Sequence, residues 1–140
     1  MSSNDTYEMI KEKIEGLDRE QFIIACLNTK NEPTDISVVA VGSLNKAIVH
    51  PREVFKTAIL SNAASIIAFH NHPSGETTPS QQDIQLTNRL YEAGELLGIK
   101  LLDHLIIGDG LPGSEQSEQS SIGRVWNIYI IKRKRLFIRS

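Results

Sequence analysis

Apolar residues fall along this chain in two patterns. Gln21 to Leu27 is a continuous apolar run (Phe22-Ile23-Ile24-Ala25-Cys26-Leu27), the signature of a strand buried on both faces. Ile36 to Val41 forms a second run after a turn-rich stretch, Asn28 to Pro33, so the two are expected to pair as a hairpin. Ser65 to Phe69 and Lys100 to Ile107 read as further apolar strands, and Ala47 to Val49 as a short one. Helical spacing appears elsewhere. Ile10, Ile14 and Leu17 mark a short amphipathic helix over Tyr7 to Leu17. Pro51 opens a helix to about Asn62, because proline's missing N–H costs nothing at the first helical position. Ile84, Leu86, Leu90, Ala93 and Leu97 predict a long helix over Ser80 to Leu97. Strands alternating with helices argue a mixed α/β or α+β domain. His70 to Pro79, rich in proline and polar residues, is expected to be a loop.

Composition then sets limits. The chain has 140 residues, 40% hydrophobic and 23% charged, which is a globular balance in one ordinary domain. The net charge of -2 gives no overall steering towards nucleic acid. It is unevenly spread, however. Six of the fifteen basic residues lie between Arg124 and Arg139, where no acidic residue occurs. We therefore divide the chain into a body, residues 1–110, and a linker with a basic tail, residues 111–140. The tail makes nucleic-acid contact a minority expectation, since a basic run is usually a solvated surface. The start lacks a secretory pattern, and no apolar run reaches the roughly 20 residues that span a bilayer. A lone cysteine, Cys26, forms no internal disulfide and reads as a buried strand residue. A cytoplasmic protein without membrane contact is expected.

The candidate chemistry lies between His70 and Asp83. Histidines two residues apart at a strand end point to one face, so His70 and His72 can meet at one metal. The first turn of the following helix can bring Asp83 to the same point. Two imidazoles and a carboxylate suit one zinc ion per chain, with a vertex left for water. The bland reading is that Ser80 and Asp83 merely form a capping box at a helix start. In that case His50 or His104 could be the third ligand. Length and composition remove other His-x-His architectures. An eightfold barrel needs about 250 residues. A cupin-like site sits on an all-β jelly roll, which the long helix contradicts. Nucleobase deaminases need a Pro-Cys-x-x-Cys pair, and there is one cysteine.

The string His70-x-His72-Pro73, six residues, Ser80-x-x-Asp83 resembles the JAMM signature of JAB/MPN metalloproteases, with every spacing kept. The surrounding text, from about Asp18 to Gly110, is similar to the bacterial RadC-like branch. It includes Val41-Gly42-Ser43-Leu44-Asn45, His50-Pro51-Arg52-Glu53-Val54 and Leu102-Asp103-His104-Leu105-Ile106-Ile107-Gly108. The resemblance implies a mixed central sheet flanked by helices in a cytidine-deaminase-like three-layer arrangement. It implies zinc on His70, His72 and Asp83, and hydrolysis of a peptide or isopeptide bond in a peptide or protein substrate. It also implies Glu20 as general base and Ser80 as support for the oxyanion. That role and the helix cap are expected to compete for Ser80's one proton. Many RadC-like proteins place a helix-hairpin-helix region ahead of the JAB domain. About twenty residues stand there in this sequence, so DNA contact through such a region is not expected. The branch's usual aromatic strand and basic ending are replaced here by the linker and Val125 to Ile131. A non-catalytic DNA-repair or nucleic-acid-binding module is the alternative reading.

Overall fold

Unbroken apolar runs dictate a sheet covered on both sides, and the computed structural model has one. It describes residues 20–42, 49–72, 77–109 and 126–131, with residues 109 and 126–131 described as backbone alone. The elements are β1 (Gln21–Leu27), β2 (Pro33–Val41), α1 (Pro51–Leu60), β3 (Ser65–His72), α2 (Gln81–Leu97), β4 (Lys100–Asp109) and β5 (Trp126–Ile131). The expected helix at Tyr7 to Leu17, most of the short strand at Ala47 to Val49, and the linker from Leu111 to Ser121 lie outside the described residues.

The sheet order is β2-β1-β3-β4-β5. β1 pairs antiparallel with both β2 and β3. β3 and β4 are parallel, with α2 as their crossover. β5 pairs antiparallel with β4. This is a mixed α+β architecture, consistent with the JAB/MPN fold. From Phe22 to Leu27, β1 is wholly buried, which explains its lack of polar alternation. β2 is an edge strand with exposed positions, and it begins at Pro33, where a missing N–H is tolerated.

Two apolar clusters hold the sheet. On one face Phe22, Ile24, Cys26, Ile66, Ala68 and Leu101 meet Val54, Phe55 and Ala58 of α1 and Leu90 and Tyr91 of α2. On the other, Ile23, Ala25, Leu27, Ile67, Phe69, Leu105 and Ile107 pack together. Each fully buried Ile, Leu or Phe contributes roughly 1.5–3 kcal/mol relative to exposure. Both described helices share the first face. Close approach of α2 to β4 depends on Gly94, where an added Cβ would sit 2.4 Å from the Ile99 carbonyl oxygen. Gly98, at φ 74°, ends the helix in the left-handed region.

One expectation needs correction. The loop does not begin at His70, because β3 continues through His72. His70, Asn71 and His72 pair with Ile106, Ile107 and Gly108 of β4, so their backbone is satisfied by the ladder despite polar side chains. No described helix is long and apolar enough to cross a membrane.

Candidate metal centre

Topology brings the candidate residues together at one edge of the helix-bearing face. β3 and β4 are parallel, so both end there, and α2 starts there after the connecting loop. β1 runs antiparallel and begins there, with Phe22 opposite His70 and Glu20 two residues before it. The C-terminal ends of parallel strands beside a helix N-terminus are a recurrent ligand site in α/β sheets.

Residue alternation puts His70 and His72 on one face, as expected, with ring centroids 4.9 Å apart. Asp83 arrives by the capping box. Asp83's backbone N–H donates to Ser80 Oγ (3.0 Å), and the Ser80 N–H donates to Asp83 Oδ2 (2.8 Å). The cap does not exclude the metal role, since the same carboxylate borders both imidazoles. Oδ1 is 3.2 Å from His70 Nδ1, and Oδ2 is 3.5 Å from His72 Nε2. The helix N-terminus also favours a negative group there. Glu20 Oε1 lies 3.5 Å from the other His70 nitrogen, Nε2. Ser80 serves the cap as an acceptor, through a lone pair. Its O–H proton is not consumed, contrary to the expected competition.

Two members of the cluster are buried, while His72 and Glu20 are half-buried. His70 is 5% and Asp83 6% exposed. Although carboxylates face both His70 nitrogens, neither nitrogen makes a hydrogen bond. Burial by itself lowers the His70 pKa. The Asp83 and Glu20 carboxylates outweigh it and hold the imidazole up at about 9 in the metal-free protein. Burial likewise opposes ionisation of Asp83. His70, His72 and the Ser80 N–H overcome it and keep that carboxyl well below the usual carboxylate range.

These residues fit a cation. In the metal-free protein a proton on His70 answers the two carboxylates that face it, and a cation bound there would take over that charge. Two donors each 2.0–2.1 Å from one zinc, at a tetrahedral angle, lie about 3.3 Å apart. Single donor pairs approach at 3.5, 3.2 and 3.5 Å, with Glu20 and Asp83 on opposite nitrogens of His70, so one ion takes His70 through only one of them. One arrangement of two imidazoles and a carboxylate converges among the described residues. Donor atoms of Glu20, His70 and His72 all lie within 4.8 Å of one another. Asp83 touches the same imidazoles from the helix side.

A family model, the RadC-like JAB domain, matches residues 1–120. The chain belongs to the RadC-like JAB domain family. Similar proteins include a UPF0758 protein of Caldanaerobacter subterraneus subsp. tengcongensis, 53% identical over 109 residues, which are 78% of this chain and 47% of that protein. A UPF0758 protein of Moorella thermoacetica is 57% identical over 106 residues, 76% of this chain and 46% of that one. A third, from Methanosarcina barkeri, is 50% identical over 109 residues, 78% and 48% respectively. The chain thus spans about half the length of the relatives it matches.

Around this RadC-like centre the structure adds residues that the sequence reading passed over. Asn71, buried between the two histidines in sequence, accepts the Gln21 N–H through Oδ1 at 2.6 Å and so pins the start of β1 beside Glu20. Thr87, one helical turn after Asp83, donates to the Asp83 carbonyl and contacts His104. Its signal was its spacing, four residues beyond Asp83 on the inward face of α2. His104 is fully buried beside His70. His50 is the N-cap residue of α1 but makes no side-chain cap bond. Pro73, part of the motif, lies outside the described residues.

Proposed function

We propose that this domain is a zinc-dependent hydrolase of amide or isopeptide bonds. His70, His72 and Asp83 would hold one zinc ion. The observation that carries this reading is the Asp83 carboxylate, fixed by its helix cap and bordering both imidazoles. We take Asp83 as the third ligand because the helix cap holds its carboxylate beside both histidines, although it is Glu20 whose donor atoms converge with both imidazoles within 4.8 Å. That leaves Glu20 to move protons.

A zinc ion, when bound, supplies a Lewis acid that brings the pKa of water down to about 7. Glu20 then accepts a proton from the attacking water at its carboxylate and passes it to the leaving nitrogen. Ser80, exposed and with its proton uncommitted to the cap, donates its O–H to the substrate oxygen that gains charge. Asn71 keeps Glu20 in place through the Gln21 N–H. The substrate is a peptide or protein, and a cytoplasmic setting suits the buried, unpaired Cys26.

A panel of peptide and isopeptide substrates tests the proposal. Wild type turns over at least one, while Glu20→Gln keeps wild-type zinc content and loses turnover by at least a hundredfold. Undiminished turnover in Glu20→Gln overturns the assignment of the base. A second reading, a nucleic-acid-binding module, rests on the six basic residues between Arg124 and Arg139. A salt-dependent duplex shift that vanishes on truncation after Gly110 would favour it.

A further inference from the structure

His104 is the buried titratable group that hydrolysis leaves without a task. It is fully inaccessible on β4, opposite Ala68. Its Nδ1 lies 2.6 Å from Thr87 Oγ1, and that hydroxyl lies 2.8 Å from the Asp83 carbonyl oxygen, to which it donates. A hydroxyl has one proton. With that proton on the Asp83 carbonyl, Thr87 can only accept from His104, so the imidazole proton is on Nδ1. The opposite tautomer would set two acceptors against each other at one of these contacts and leave a buried N–H without an acceptor, the rarer and costlier defect. Nε2 is then a buried lone pair, and it has no partner among the described residues. The ring also stacks on His70, with centroids 6.3 Å apart and planes 23° apart, and meets the edge of Phe22. Phenylalanine could fill this volume without stranding a polar atom. What histidine adds is the Nδ1–H.

We propose that His104 is a positioning residue for the metal centre. Its Nδ1–H, through Thr87, ties β4 to the turn of α2 that carries Asp83, and its ring sets the plane of the His70 imidazole. This rests on the metal reading above. Hydrogen-bonded groups behind metal ligands typically alter affinity 10–100-fold.

Titration of the full chain with Co2+, read by its visible absorption, tests it, with melting curves as the control for folding. His104→Phe and Thr87→Val should bind Co2+ about tenfold or more weakly than wild type and shift the visible band, while Thr87→Ser restores both. If His104→Phe does not fold, Thr87→Val decides. Wild-type affinity and band in Thr87→Val, with only its melting temperature lowered, overturn the proposal and leave the metal centre standing. Failure of wild type itself to take up Co2+ overturns the metal reading and this proposal with it. An independent readout needs no metal. Long-range 15N–1H correlations of the imidazole should show the His104 proton on Nδ1, and a proton on Nε2 would refute the tie.

Discussion

The two halves of β3 share one backbone and one set of strand partners, yet they differ in what burial does to them. Ile66 to Phe69 meets apolar neighbours on both faces of the sheet. His70 to His72 is almost as buried, but its side chains are polar and aimed at carboxylates and a backbone N–H. In the first half, removal from water stabilises the fold. In the second it costs stability unless every polar atom finds a partner, and His70 meets two carboxylates without a hydrogen bond. The apolar half builds a platform, and the polar half spends part of that stability on a site.

The largest break in this comparison is Phe69→Ala. Phe69 is fully buried on the face away from the site, and truncation should cost about 3–5 kcal/mol. A denaturant titration measures it, and zinc content per folded chain should be unchanged. Next is Asn71→Ala, which strands the Gln21 N–H and should cost about 1–3 kcal/mol. Unlike Phe69→Ala, it should also lower turnover with zinc content intact, because it loosens the strand end beside Glu20.

The smallest effect, at most about 1.4 kcal/mol between pH 6.5 and 5.5, is pH dependence in the metal-free protein. Burial, reinforced by the charge on His70, lowers the His104 pKa from 6.5 to about 3. The unfolded chain therefore takes up that proton first. The stability contributed is full above pH 6.5 and is lost as pH falls from 6.5 towards 3. One proton sets a limit of about 1.4 kcal/mol per pH unit. His104→Phe should flatten the slope between pH 6.5 and 5.5. His70 behaves oppositely. Its raised pKa gives a contribution that is full below pH 6.5 and lost as pH rises through about 9.

Legibility in the sequence divides along the same line. The apolar half of β3 and the buried β1 follow from unbroken apolar runs, α2 from helical spacing and α1 from the proline at its start. The two histidines, Ser80 and Asp83 were visible from spacing, and the capping box formed as read. The end of β3 was not visible. Asn71 and the histidines look like loop residues until the pairing with β4 is known. Asn71 and Thr87 were missed for a related reason. Their partners, Gln21 and His104, lie 50 and 17 residues away, and no local pattern encodes such contacts. Whether Asp83 or Glu20 completes the ligand set is likewise a matter of three-dimensional placement.

The direct measurement is zinc per chain by elemental analysis on wild type, His72→Ala, Asp83→Asn and Glu20→Gln, each purified under the same zinc supply. The account predicts close to one zinc in wild type and in Glu20→Gln, and close to none in the other two. Equal zinc in wild type and His72→Ala, or none in wild type, would contradict it.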